Sequence, residues 1–390
     1  MKILFCNYEY PPVGGGGGVI TAWIAEELAK RHEVTVLTSQ CLGQERESVE
    51  NGVRVIRIPV LLRKNQGAAS FTSLLSFVIL GLCCPNRFLK DKTFDVINTH
   101  FVLPTGPVGH LLAKKMKIAN ILSVHGGDLY DPSKPLSPHQ HWFFRIAVRY
   151  LLKAADLVVA QSNNTRNNVH KIYLPELSVD IIPLAIQRPP PPKKTTRQEF
   201  GIGESDIVLV TVGRLVARKQ VNKLIKAVSD TARKDIRVIV IGDGPREKEL
   251  REQAKSLGIA SQVHFLGYIK EEEKNKILSL SDMFVSTSEH EGFGIVFLEA
   301  MSHGLPIICF NHGGQVDFLK DGNTGFLIPL NDLSIFAEKL NLLANNKELR
   351  LKMKANCLAL VENYYIDTCA KKYEDRFLQH CTPANCYGTE

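Results

Sequence analysis

The sequence predicts an α/β protein made of two doubly wound domains with parallel sheets. Three observations carry that expectation. Apolar, β-branched runs alternate with helix-like stretches along most of the chain. A proline-rich break, Gln187–Lys194 ("QRPPPPKK"), interrupts the alternation once, and the pattern then restarts. At 390 residues the chain is long enough to bury two separate cores.

Before the break, "KILFCNY", "HEVTVLT", "VRVIRIP", "DVINTHF", "NILSVHG", "DLVVAQS" and "VDIIPLA" lack a polar face, as strands covered on both sides do. Val19–Lys30 and Gly106–Lys117 are the clearest helix-like segments between them. Four consecutive prolines can neither continue a helix nor enter a central strand, so the break is a stiff connector. Beyond it, "IVLVTVGR", "IRVIVIGD", "VHFLGY", "MFVSTS" and "PIICFN" repeat the pattern. The domains expected are 1–187 and 188–364. A last helix near Ile366–Leu378 precedes a tail, 383–390, without periodicity and expected to be mobile.

The net charge of +8 divides into +6 over the first 187 residues and +2 over the rest. That surplus suits either a solubilising surface or an anionic partner such as a lipid headgroup. Nucleic acid is not expected, because no stacking aromatics interleave the basic residues. The nine cysteines are odd in number and irregular in spacing, with no C-x-x-C. This argues against a disulfide framework or zinc site and for a reducing cytoplasm. The chain enters a strand-like run at once, so no signal peptide is expected. Ala68–Cys84 is apolar and near the minimum length of a membrane span, but it holds several Ser and Thr and ends at Pro85. It is expected to be a helix on the sheet. Flanking Arg63, Lys64, Arg87, Lys90 and Lys92 would suit anionic headgroups.

Five consecutive glycines, Gly14–Gly18, follow the first strand. A phosphate-binding loop of the NTPase kind needs Lys-Ser/Thr at its end, and Val19–Thr21 offers none. A nicotinamide fingerprint wants an acid after the second strand, where Ser39 and Gln40 stand. What remains is a strand-to-helix loop whose bare backbone lets a ligand approach, or a loop at a domain edge.

The strongest signal is "SEHEGFGIVFLEAMSHGLPIICFNHGG". Here "EGFG" opens onto a helix expected at Ile295–His303, stopped by Gly304-Leu305-Pro306. Backbone N–H groups near Gly294–Val296 would face an anion such as a diphosphate. Glu299, one turn in, suits a vicinal diol, and Glu291 suits a sugar hydroxyl pair. Acids complementing a helix dipole are the plainer alternative. In "VTVGRLVARKQ", Arg214 and Lys219 follow a strand end, a sensible phosphate clamp. A solvated basic helix start is the alternative, above all for Arg218. Gly244 in "VIGDGP" and Gly267–Tyr268 in "FLGYI" lie in further strand-end turns that would border a nucleobase. In the first half, His125 in "SVHGGDLY" ends a strand on the side of the glycine run, and it is as readily structural as catalytic. Asp128 is a turn, cap or contact residue, and His100 is a weaker candidate with the same geometry.

These motifs, in this order over roughly residues 1–380, resemble glycosyltransferase family 4, retaining enzymes of the GT-B fold. The resemblance implies two Rossmann-like domains facing each other across a cleft, and a nucleotide-sugar donor held mostly by the second. Arg214 and Lys219 would hold the diphosphate and Glu299 the ribose. Glu291, with the backbone at Phe293, Gly294 and Ile295, would hold the sugar and its phosphate. His125 would lie beside the reacting sugar, and Gly15, Gly16 and Gly17 would approach donor or acceptor. It also assigns the last helix, about 365–382, to the first domain. Gln220 after the lysine and the "IPLAIQRPPPP" connector depart from the family's usual pattern, the latter implying a different hinge.

The expected activity is transfer of a hexose-type sugar, UDP- or GDP-linked, to a glycan, lipid or small molecule with retention of configuration. No Asp-x-Asp stands at a strand end, so no metal and no cofactor are expected. Expected partners are the nucleotide sugar, a glycan or lipid-linked acceptor and, as a candidate, an anionic membrane surface on the cytoplasmic side in cell-envelope polysaccharide synthesis. A nucleotide-sugar epimerase, a phosphorylase and an inactive membrane-associated scaffold are the alternatives.

Overall fold

The computed structural model describes residues 1–61, 63, 70–83, 88–89, 93–131, 136–191 and 196–381. The chain divides into two units: Met1–Ala185 with the chain from Ile366 onward, and Ile186–Tyr365.

In the first unit β1 (Lys2–Cys6) is buried at four of its five positions, as a strand with helices on both faces must be. It is followed by α1 (Gly16–Ala29), β2 (Glu33–Gln40), β3 (Glu47–Glu50), β4 (Val53–Pro59) and α2 (Phe71–Cys83). Next come β5 (Val96–His100), α3 (Gly106–Met116), β6 (Ala119–Val124), α4 (Trp142–Ala154), β7 (Leu157–Ala160), α5 (Asn163–Asn168) and β8 (Asp180–Ile181). The sheet order is β3-β4-β2-β1-β5-β6-β7-β8. All pairs are parallel except β3 with β4, so the sheet is mixed rather than purely parallel. The antiparallel edge strand, "ESVE", is short and charged, which discourages further pairing at that edge.

The second unit runs β9 (Ile207–Val212), α6 (Val221–Asp230), β10 (Ile236–Ile241), α7 (Glu247–Ser256), β11 (Val263–Gly267), α8 (Glu271–Leu280) and β12 (Met283–Ser286). It continues through α9 (Ile295–Ser302), β13 (Ile307–Phe310), β14 (Gly325–Ile328), α10 (Leu333–Asn345) and α11 (Lys347–Val361). Its sheet is parallel throughout, in the order β11-β10-β9-β12-β13-β14. Leu209, Val238, Val240, Val285, Ile308 and Phe336 pack in one buried cluster of its core.

The final helix, α12 (Ile366–His380), packs into the first unit. Phe377 meets Phe5 at 6.2 Å between ring centroids. The Glu374 carboxylate accepts from His32 at 2.6 Å and Arg31 at 3.2 Å.

Some expectations are corrected. Helix α1 begins inside the glycine run, so Gly16, Gly17 and Gly18 form its first turn rather than a loop. Packing explains this against poor helix propensity: Ile20, Ile24 and Leu28 bury one face, and a Cβ on Gly18 would crowd the Glu9 backbone at 3.1 Å. Among the described residues, cysteines 6, 41, 83, 309, 357 and 369 are free and Cys381 is disulfide-bonded. The tail 383–390 and Lys64, Arg87, Lys90 and Lys92 lie outside the described residues. So do Ala68, Ala69 and Cys84 of the membrane-like segment and residues 192–194 of the connector. Among the described residues no helix is long and apolar enough to cross a membrane.

Candidate functional site

In each sheet the strand order reverses once, between β1 and β5 and between β9 and β12. Connections leave in opposite directions there, opening a crevice outside the carboxyl ends of the strands where α/β ligands bind.

In the second unit the loops after β9 and β12 supply the residues at this point. Arg214 lies just past β9, and its exposed side chain has no partner among the described residues. Ala217–Lys219 form a 3-10 turn, and Gln220, at φ 48°, redirects the chain into α6. The turn is tied to the β12 loop by Glu289 N–H donating to Arg218 O at 3.0 Å and Thr287 Oγ1 to Gln220 O at 2.7 Å. Across that seam Lys219 Nζ ion-pairs closely with Glu291 Oε1. Arg218 reaches Glu291 Oε2 at 3.3 Å and donates to His290 O at 2.7 Å. Burial opposes charge on Glu291, but Lys219 and Arg218 outweigh it and hold the carboxyl below its ordinary range.

Gly294, at φ 92°, turns the chain into α9, whose first N–H groups lack intrahelical acceptors. Phe293 is buried against Phe318 at 5.1 Å, so only its backbone is available to a ligand. Glu299 accepts from Lys274 Nζ at 2.9 Å, and Lys274 also pairs with Glu271 at 2.9 Å. Burial raises Glu299 above the usual carboxylate range against the pull of Lys274. Gly244 is explained by packing: a Cβ there would meet Leu215 O at 2.5 Å, where the β9 and β10 loops touch backbone to backbone. Gly242 N–H bonds Gly267 O at 2.8 Å, and the next side chain, Tyr268, is 82% exposed.

In the first unit the switch point holds a polar chain. Asn98 Nδ2 donates to Ile121 O and Ser123 Oγ, both at 2.9 Å, leaving Oδ1 as acceptor for His100 Nε2 at 2.7 Å. His100 Nδ1 therefore accepts, and His125 Nε2, 2.9 Å away, donates. His125 thus keeps a bare Nδ1. Burial pushes its imidazole down to about 4, and burial with His125 nearby drives His100 well below its ordinary value. Phe101 packs on the His125 ring at 4.4 Å. Asp128 clamps the loop, accepting from His125 N–H at 2.9 Å and Val102 N–H at 2.7 Å. Gly15, exposed and with open space around its missing Cβ, bonds Glu9 Oε2 through its N–H at 3.0 Å. Gly16 is also exposed, whereas a Cβ on Gly17 would strike Phe101 at 2.4 Å.

The structure therefore brings Lys219 and Glu291 together and gives Glu299 a partner. The second unit alone holds Arg214, Lys219, Gly244, Gly267, Tyr268, Glu291, Phe293, Gly294, Ile295 and Glu299; the first holds His125 and Gly15–Gly17. Two members escaped sequence reasoning. Arg218 is a carboxylate partner rather than a solvated helix start, and its position beside Lys219 in "ARK" was the available signal. Lys274, hidden in the acidic "EEEK" run, had none.

Two family models match the chain: Glycosyl transferase 4-like domain over residues 15–185, and Glycosyl transferases group 1 over residues 192–358. N-acetyl-alpha-D-glucosaminyl L-malate synthase of Bacillus anthracis is 26% identical over 368 residues, 90% of each chain. A GDP-mannose-dependent alpha-(1-6)-phosphatidylinositol monomannoside mannosyltransferase of Mycolicibacterium smegmatis is 25% identical, covering 85% of this chain and 86% of its own. Among solved structures, sucrose-phosphate synthase from Thermosynechococcus elongatus shares the fold with a TM-score of 0.82. It is 18% identical, covering 97% of this chain and 98% of that one.

Proposed function

The chain belongs to the glycosyl transferases group 1 and has the GT-B fold. From that premise we propose that it moves a hexose-type sugar from a nucleotide diphosphate to an acceptor with retention of configuration and without a metal. The observation that carries this reading is the convergence of Lys219 and Arg218 on Glu291 at the switch point of the second sheet, with the exposed side chain of Arg214 on the same loop after β9.

Breaking the anomeric bond leaves negative charge on the diphosphate and an oxocarbenium-like sugar. Arg214, Lys219 and the first N–H groups of α9 would stabilise the departing phosphate, charge that exists fully only in the transition state. Glu291, kept ionised by its two cations, would accept hydrogen bonds from sugar hydroxyls, and Glu299 from the ribose diol. In same-face attack the C1–phosphate bond breaks, the acceptor oxygen bonds C1, and the acceptor proton passes to the leaving phosphate oxygen. Glu291 is then no nucleophile. His125, neutral above about pH 4, would accept or donate hydrogen bonds near the sugar rather than act as a charged acid.

The donor is UDP- or GDP-linked; the name of the mycolicibacterial relative supports GDP-mannose as one member of the test panel. Acceptors ranging from malate to a phosphatidylinositol mannoside in those names support a small molecule or lipid. Contact with an anionic membrane on the cytoplasmic side is supported by exposed apolar rows one turn apart. These are Phe71, Leu75, Ile79 and Leu82 on α2, and Trp142, Ile146 and Tyr150 on α4. Incubating the protein with UDP- and GDP-sugars and following nucleoside diphosphate release tests the activity. Flotation with anionic vesicles tests the membrane contact, and failure to float disproves it.

A further inference from the structure

Where β2 and β4 end, a cavity of about 290 Å3 is lined by Gln40, Cys41, Leu42, Pro59, Val60 and Arg63. Arg63 is only 3% exposed. Its guanidinium lies 4.4 Å from the Tyr8 ring centroid, and Nη1 donates to Ser39 Oγ at 2.8 Å. The Tyr8 hydroxyl is held by Ser73 Oγ at 2.8 Å. The remaining donors of Arg63, Nε and Nη2, are buried without a hydrogen-bond partner, and no carboxylate pairs with it among the described residues. A buried cation with no counter-charge costs several kcal/mol. Nε–H and Nη2–H form one side of the guanidinium fork, the geometry that grips two oxygens of a phosphate or carboxylate. The cavity lies on the sheet edge that carries the glycine run and His100, and Tyr8 leads from β1 toward those glycines.

We propose that Arg63 and this cavity form an oxyanion site holding the phosphate or carboxylate of a small molecule. Its assignment to the acceptor rests on the glycosyltransferase reading; the oxyanion site itself does not.

The test uses the full chain and inorganic phosphate. In an Arg214→Ala background, which disables the donor-side phosphate clamp, phosphate still raises the Tm, and adding Arg63→Met or Leu42→Glu abolishes that shift, the second by placing a carboxylate at the rim. Without phosphate, Arg63→Met melts no lower than the wild type, which a merely structural arginine does not allow. If Arg63→Met fails to fold, Leu42→Glu decides, since Leu42 is 80% exposed. An Arg214→Ala protein whose Tm ignores phosphate, or a shift in that background that survives Leu42→Glu, overturns the site. Protection by soluble glycerol phosphate supports a small-molecule source, and protection by phosphatidylglycerol vesicles alone overturns it. For the acceptor assignment, the wild type transfers at least about tenfold better to an anionic acceptor than to its neutral twin; equal transfer overturns it. Absence of donor hydrolysis with every nucleotide sugar sinks the glycosyltransferase reading instead, and the phosphate result still stands on its own.

Discussion

The ammonium of Lys219 is ion-paired with the buried carboxylate of Glu291, joining the loop after β9 to the loop after β12. The contact stabilises the protein and pre-positions its ligand groups at once. Lys219→Ala leaves the buried carboxylate with Arg218, at 3.3 Å, as its remaining ion-pair partner among the described residues. It should cost about 3 kcal/mol in denaturant unfolding, whereas Lys219→Ala combined with Glu291→Gln recovers part of that loss. A double variant no more stable than Lys219→Ala alone contradicts the coupling.

Glu299 is the predicted ribose contact. Glu299→Gln keeps the shape but weakens acceptance of two hydroxyl hydrogen bonds. Donor KM should rise about 10- to 100-fold while kcat changes little. A fall in kcat at constant KM would place Glu299 elsewhere in the reaction.

Acid should destabilise the first unit before the carboxylates titrate. His125 is held neutral down to about pH 4, against an ordinary 6.5, and His100 is shifted in the same direction. The unfolded chain therefore binds more protons in that window, so stability falls as pH drops from 6.5 toward 4. His125 accounts for about 2 kcal/mol after allowance for its partial exposure. Urea unfolding at pH 7 and 4.5 measures it, and His125→Gln should flatten part of the slope.

The glycine run separates packing from function. Gly17→Ala pushes a methyl into Phe101, which packs on His125, and should cost about 1–3 kcal/mol. Gly15→Ala meets open space and should leave Tm unchanged while lowering turnover. Equal activity in Gly15→Ala and the wild type removes Gly15 from the ligand-facing backbone.

Strands such as β1, β9 and β12 were legible because continuous apolar runs have few other uses. The acid pair was legible because Glu291, Gly294 and Glu299 occur in one contiguous stretch. The edge strand β3 was not, since "ESVE" owes its conformation to pairing with β4 rather than to burial. Nor were the polar partners: the His100–His125 pair spans 25 residues and Lys274–Glu299 another 25, and such contacts exist only once strands are ordered. The glycine run illustrates a third limit, where contacts with Glu9 and Phe101 override a poor local propensity for helix.

Nucleoside diphosphate release from a panel of UDP- and GDP-sugars, compared between wild type and Arg214→Ala, tests the donor site most directly. Arg214 is exposed and without a side-chain partner among the described residues, so its removal should leave Tm unaltered. The expected result is release with at least one donor, reduced about 100-fold or more in Arg214→Ala. Release that is unchanged in both Arg214→Ala and Lys219→Ala, or absent with every donor, contradicts the account.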